Sequence, residues 1–285
     1  MMLKKFAFLA LAFAFSIAAA PTDSAVQPAV QPGGDIPRTF HPVAPVPKGG
    51  DIPAQFNAPR GEFQYVRREV RIPMRDGARL YAVLIIPRAA GKFPIMLDRT
   101  PYSADKSTAR GGFGPLPENI LSPLNAELVR AGYIVAVEDV RGKYKSDGDY
   151  VMNRPLKGPL NPTEVDHSTD AWDTIDWLVK NVPESNGRVG SYGTSYDGFT
   201  ALMTLVNPHP ALKASVPINP MVDVWKGDDW FHNGAFRQEM IGYVYGQTAN
   251  KKSEEEWFAS AYDDYATFLR YGSAAGYGQA MGMVT

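Results

Sequence analysis

Six consecutive residues, Gly193-Thr194-Ser195-Tyr196-Asp197-Gly198, have the composition of an acyl-transfer device. They follow the strand Val189–Tyr192 and open directly into a helical pattern at Tyr196. A serine on a tight strand-to-helix bend holds its Oγ clear of the backbone, and small neighbours let the chain make that bend. The backbone N–H groups behind Ser195 then lie at a helix N-terminus, where a developing oxyanion is stabilised. The spacing departs from G-x-S-x-G, because Asp197 holds the fifth position and the second glycine follows it. The competing reading is a glycine-rich turn with an N-capping Ser. A dinucleotide site is disfavoured, since no G-x-G-x-x-G follows a strand.

The surrounding elements decide between these readings. Phe63–Met74 alternates as a strand, Arg75-Asp76-Gly77 is a hairpin turn, and Ala78–Pro87 returns. Phe93–Leu97 is a short strand leading into Asp98-Arg99-Thr100-Pro101-Tyr102. A helix is expected over Asn119–Ala131, closed by Gly132. Tyr133–Val137 is continuously apolar, the pattern of a strand buried on both faces. After a polar loop from Arg141 to Pro162, Thr163 is placed to N-cap a helix whose core face is Trp172, Ile175, Leu178 and Val179. Asn186-Gly187 precedes the strand Arg188–Tyr192, a helix runs from Tyr196 toward Asn207-Pro208, and Ala214–Ile218 is a further strand. This order predicts an α/β fold: a mostly parallel sheet flanked by helices, entered through a β-hairpin. Residues 221–285 are rich in Trp, Tyr, Phe and Gly and predict helices with no further strand, as in an inserted cap.

The first 60 residues have a different character. Lys4 and Lys5 precede the apolar run Phe6–Ile17 and the small residues Ala18-Ala19-Ala20, the pattern of an export signal over 1–20. Twelve helical residues reach about 18 Å, short of a bilayer core of about 30 Å, which disfavours a membrane anchor. Residues 21–60 hold nine of the 24 prolines. Gly33-Gly34-Asp35-Ile36-Pro37 recurs as Gly49-Gly50-Asp51-Ile52-Pro53, with Phe40 and Phe56 following at the same offset. This arm is either an extended linker or a segment that docks on a second copy to form a homo-oligomer. The predicted organisation is thus signal 1–20, arm 21–60, core 61–220 and cap from 221. A periplasmic or secreted location follows from the signal.

Composition narrows the chemistry. With 29 Lys+Arg against 30 Asp+Glu the net charge is −1, which argues against nucleic acid or an anionic membrane as partner. The absence of cysteine excludes disulfides, thiolate metal sites and a Cys nucleophile. The four histidines are His41, His167, His209 and His232, too few for a His-rich metal centre. Asp147-Gly148-Asp149 reads as a solvated turn in preference to a metal loop. No metal or cofactor is expected.

The G-x-S-Y-x-G form of residues 193–198 resembles that of X-Pro dipeptidyl-peptidase and cocaine esterase-like α/β-hydrolases. Asp51-Ile52-Pro53, Ile72-Pro73-Met74-Arg75-Asp76-Gly77, Arg99-Thr100-Pro101-Tyr102, Asp139-Val140-Arg141-Gly142 and Gly227-Asp228-Asp229-Trp230-Phe231-His232-Asn233-Gly234 narrow the resemblance to α-amino-acid ester hydrolases, over about residues 50–240. The resemblance implies an α/β-hydrolase fold and a small ester or amide substrate with an α-amino group. It implies Ser195 as acyl nucleophile, with the backbone N–H of Tyr196 and the hydroxyl of Tyr102 as oxyanion donors. Asp229 would belong to a carboxylate cluster that holds the substrate ammonium. The plainer reading of Asp228-Asp229 is a helix N-cap. In that fold the catalytic acid and His follow the nucleophile in the chain. No histidine here fits the role, so both are expected beyond residue 285, the chain being an N-terminal portion whose unfinished sheet exposes apolar residues near Val135 and Val189. The alternatives are an X-Pro dipeptidyl-peptidase-like enzyme, a general carboxylesterase, or a non-catalytic binding remnant.

Overall fold

The computed structural model describes residues 61–223, 226, 231–233, 235–236, 240–254 and 264–282. The segments expected as export signal and arm, and Asp229, lie outside the described residues.

Six strands form one sheet: β1 (Tyr65–Pro73), β2 (Arg79–Pro87), β3 (Phe93–Thr100), β4 (Ile134–Asp139), β5 (Ser185–Thr194) and β6 (Leu212–Ile218), in the order β1-β2-β4-β3-β5-β6. β1 pairs with β2, and β2 with β4, antiparallel. β3, β4, β5 and β6 are mutually parallel. The hairpin turn at Arg75–Gly77 sets the first register, with Gly77 at φ 89°.

Period-two alternation makes the core two-sided. Leu80, Ala82, Leu84 and Ile86 of β2 face the helix α3 (His167–Asn181) through Ile175 and Leu178. The intervening Tyr81, Val83 and Ile85 face α2 (Pro123–Arg130) through Ala126 and Val129. β4 is buried along its whole length, as a central strand covered on both faces must be. This is the α/β-hydrolase arrangement of a mixed, largely parallel sheet between helices.

Several boundaries differ from the sequence expectation. Pro123 cannot sit inside a helix, so the span expected from Asn119 divides into a 3-10 turn, Pro117–Asn119, and α2, whose N-cap is Ser122. Thr163 does not cap α3. Its hydroxyl donates to Asn161 Oδ1 at 2.5 Å, and Asp166 caps instead, accepting from the N–H groups of Ser168 and Thr169. β5 begins at Ser185 and carries Asn186-Gly187 within it, Gly187 taking φ 77°.

After Pro220 a two-residue hairpin, β7 (Phe231–His232) with β8 (Ala235–Phe236), precedes the helices α5 (Met240–Thr248), α6 (Asp264–Tyr271) and α7 (Ala274–Ala280). The expectation of no further strand is corrected by this hairpin. Val135 and Val189 are fully buried, against expectation. On β6, at one edge of the sheet, Val216 is 50% and Ile218 41% exposed. Among the described residues no helix is long and apolar enough to cross a membrane.

Candidate active site

β5 ends at Thr194, and α4 (Tyr196–Met203) begins one residue later. Between them Ser195 adopts φ 63°, ψ −118°, a conformation that L-residues rarely enter. Its N–H donates to Ile218 O of β6 at 3.0 Å, and its carbonyl accepts the first helical bond from Phe199 N–H at 2.9 Å. Both glycines of the motif are enforced by contact. A Cβ on Gly193 would stand 2.4 Å from the Asp197 carbonyl, and one on Gly198 would stand 2.3 Å from Ile218 O. The second glycine comes one residue late because here residue 198, not 197, passes against β6.

Tyr196, fully buried, anchors the helix start. Its hydroxyl accepts from Asn153 N–H at 3.1 Å and meets His167 Nε2 at 3.4 Å. Its ring packs edge-on against His167 and Phe199. Its backbone N–H belongs to the first turn of α4, where helical N–H groups have no partner within the helix.

Tyr102 lies in the turn after β3. Its N–H donates to Thr100 Oγ1 at 3.1 Å, and its hydroxyl is 2.8 Å from the Tyr243 hydroxyl of α5. Burial pushes the Tyr102 hydroxyl up to about 12, so it remains a donor at neutral pH. The turn is held from below. Ser103, at φ 79°, caps a short helix, α1 (Ala104–Ser107), and Ala104 N–H donates to Asp139 Oδ1 at 2.6 Å. Burial raises the Asp139 carboxyl to about 6, with the N–H donors of Ala104 and Lys145 opposing the shift.

The remaining motif residues build the frame under the site. Arg99 Nε donates to Glu138 at 2.7 Å and its Nη1 to His167 O at 2.8 Å. Arg141 grips Asp170 with Nε and Nη2 at 2.9 and 2.6 Å and reaches Asp76 of the hairpin turn at 2.7 Å. Gly142, at φ 74°, lets the next loop pass: a Cβ there would lie 2.0 Å from Tyr150 N. Arg141 thus ties the hairpin turn to α3, and Arg99 ties β4 to the start of α3.

Two carboxyls sit behind the elbow. Asp98 of β3 and Asp197 of α4 each have an oxygen that is sealed from solvent and without a hydrogen bond. Burial raises the Asp98 carboxyl. Burial and the Asp98 charge raise that of Asp197, and a hydrogen bond from Thr100 offsets this in part. They line a cavity of about 390 Å³ with Lys106, Arg110, Asn125 and Tyr192. Gly193 and Thr194, the two residues before Ser195, also line it.

The histidines are occupied elsewhere. His167 is buried at the start of α3, and its imidazole is pushed down to about 3 by burial and by the Arg99 charge. His209 Nδ1 accepts from Ala211 N–H at 3.0 Å, and its Nε2 lies 3.3 Å from Asp176. His232 lies on β7, exposed. None of these three hydrogen-bonds Ser195. The turn 147–149 is tied to protein cations, Asp147 to Arg79 and Asp149 to Lys251 at 2.8 Å. Among the described residues no three His, Asp or Glu side chains converge to hold a metal ion.

The structure therefore gathers Ser195, Tyr196 and Tyr102 at the C-terminal ends of β3 and β5. Sequence reasoning missed Tyr243, Lys143 and the Asp98–Asp197 pair. The only trace of Tyr243 was the aromatic richness after residue 220, and no spacing joins it to Tyr102.

The chain is similar to known hydrolases. The family described as X-Pro dipeptidyl-peptidase (S15 family) matches residues 76–280. A cocaine esterase from Rhodococcus sp. (strain MB1 Bresler) is 33% identical over 176 residues, covering 62% of this chain and 27% of the esterase. A solved α-amino acid ester hydrolase superposes with a TM-score of 0.75 at 52% identity, over 83% of this chain and 39% of that one. An aminopeptidase from a marine sediment archaeon, Thaumarchaeota archaeon, gives 0.74 at 51% identity, over 82% of this chain and 38% of that one. The chain thus spans well under half the length of these relatives.

Proposed function

The chain belongs to the X-Pro dipeptidyl-peptidase (S15) family, and from that premise we propose that it acts as a serine hydrolase or acyltransferase on α-amino-acid esters or amides. The observation that carries the reading is Ser195 at φ 63°, held between Gly193 and Gly198 at a strand-to-helix junction. In the proposed reaction Ser195 Oγ attacks the substrate carbonyl. The resulting oxyanion accepts from Tyr196 N–H and from the Tyr102 hydroxyl. Collapse expels the alcohol or amine and leaves an acyl-enzyme, which water or an acceptor amine then resolves. A base must take the Ser195 proton as the bond to the carbonyl forms and return it to the leaving alcohol or amine as the intermediate collapses. His167 is committed to Tyr196 and His209 to Asp176, so neither is assigned that role.

The substrate class rests on likeness. The two structural neighbours at 51–52% identity are named for an α-amino acid ester and for amino-terminal residues, and both substrates carry an ammonium beside the acyl carbon. Asp229 is proposed to receive it. The esterase likeness at 33% identity supports the second reading, a general carboxylesterase. Residues 1–20 are proposed to direct export to the periplasm or exterior, and residues 21–60 to serve as an arm toward a second copy.

Labelling tests the central claim. The protein as its gene encodes it is expected to react covalently with a fluorophosphonate and to turn over a phenylglycine ester, and Ser195→Ala is expected to abolish both. Full labelling of Ser195→Ala removes the nucleophile assignment. Absence of labelling in the unaltered protein favours the non-catalytic reading.

A further inference from the structure

Lys143 is a fully buried lysine that the reaction above does not use. Its Nζ donates to three backbone carbonyls, those of Gln247 and Asn250 at 2.9 Å and Ser253 at 3.2 Å. An ammonium has three N–H donors, so each is satisfied. The same Nζ lies 5.3 Å from the ring centres of Tyr144 and Tyr150. A cation over aromatic rings and at the C-terminal end of a helix is favoured on both counts.

What Lys143 holds is the end of α5 and the chain just after it. Gln247 stands one turn beyond Tyr243 on that helix, and the Tyr243 hydroxyl is the partner of Tyr102 at 2.8 Å. The loop carrying Lys143 is itself fixed to the core. Lys143 N–H donates to Val140 O at 3.1 Å, and the flanking Arg141 is locked between Asp170 and Asp76. Neighbouring bonds run in the same direction: Tyr144 N–H to Lys251 O at 2.6 Å, and the Tyr144 hydroxyl to Glu254 at 3.0 Å.

We propose that Lys143 is a positioning residue for the oxyanion site: it pins the C-terminal end of α5 to the loop after β4 and so seats the Tyr243 hydroxyl against that of Tyr102. This inference rests on the reading of Tyr102 as an oxyanion donor. A tyrosine hydroxyl that rotates freely must be ordered when charge develops, whereas one held by a second hydroxyl is preorganised. The two hydroxyls therefore act together, and Lys143 sets their separation.

A double-mutant cycle in the protein as its gene encodes it tests this, read as kcat and KM on an α-amino ester. Tyr102→Phe is expected to lower kcat about 10²–10³-fold. Lys143→Met and Tyr243→Phe are each expected to lower kcat about tenfold with KM little changed, and to add nothing further in the Tyr102→Phe background. Losses that multiply in that background overturn the proposal while leaving the oxyanion reading intact. Full kcat in Tyr102→Phe removes the oxyanion reading itself and the positioning role with it. Tyr243→Phe deletes a single hydroxyl and decides the matter if Lys143→Met does not fold: full kcat there overturns the proposal. Hydrogen exchange gives a readout independent of turnover. Amides 244–248 are expected to exchange at least about tenfold faster in Lys143→Met and at the unaltered rate in Tyr102→Phe. Unchanged protection of these amides in Lys143→Met overturns the pin.

Discussion

Ser195, Tyr196 and Tyr102 differ in how the chain holds them. Ser195 and Tyr196 are held by the glycines and the first turn of α4, with Ile218 of β6 bonding the Ser195 N–H and with Asn153 and His167 at the Tyr196 hydroxyl. Tyr102 is held at one end by Thr100 and at the other by a hydroxyl 141 residues away. Asp229 is the residue whose proposed role separates amino-ester hydrolysis from general esterase activity. A carboxylate facing an ammonium in a site closed to water makes charge-assisted hydrogen bonds, and removing one such partner costs about 1.5–3 kcal/mol. Asp229→Asn is accordingly expected to raise KM for a phenylglycine ester roughly 10–100-fold and to leave its phenylacetate analogue nearly unaffected. The measurement is kcat/KM for both esters. Equal losses on the two substrates would make Asp229 a helix cap, and no loss on either would favour the carboxylesterase reading.

At the scale of elements, the elbow exists because β5, α4 and β6 meet within van der Waals contact. Ala at position 198 would force its methyl against the Ile218 carbonyl at 2.3 Å, and backbone cannot swing aside as a side chain can. Gly198→Ala is expected to destabilise by about 1–3 kcal/mol or more, read from urea unfolding. The frame beneath depends on Arg141 joining α3 to the hairpin turn. Asp170→Ala would strip the guanidinium of two of its four carboxylate bonds in a buried setting. Such half-broken pairs cost about 3–5 kcal/mol, so this substitution should exceed Gly198→Ala in the same assay. A loss below about 1 kcal/mol would show that water reaches Arg141.

For the molecule as a whole, buried titratable groups set opposing dependences on pH. His167 is pushed down to about 3 in the fold, against about 6.5 unfolded. Between those values the unfolded chain binds a proton that the fold refuses, so stability falls as pH falls, by about 1.4 kcal/mol per unit. Asp98 is raised in the fold, so it binds a proton that the unfolded chain lacks, and its contribution is lost as pH rises through its folded value. The two slopes have opposite sign in mildly acidic solution. His167→Gln should therefore unfold less readily than the unaltered protein on going from pH 6.5 to pH 4, after the offset at neutral pH is subtracted. Asp98→Asn should show the reverse difference. Parallel stability–pH curves for the three proteins would mean that neither group titrates with folding.

Much of this was legible in the sequence, and the reason is range. The six strands, the turn at Asp76-Gly77 and the Ser195 elbow depend on side-chain period and local sterics, which act over a few residues and leave their mark in a few residues. The substitution of Asp166 for Thr163 as the cap of α3 was not legible, because it turned on Asn161 capturing the Thr163 hydroxyl. The break before α2 was written in Pro123 and yet was masked by the apolar period around it. Sequence alone determined which residue is the nucleophile candidate and what kind of sheet presents it. Only the tertiary structure decided that Tyr102 meets Tyr243, that Lys143 holds α5, and that Asp98 lies behind Asp197. Such pairings join segments up to 141 residues apart. They carry no period in the chain, and only the packing of the sheet and its helices brings them within reach.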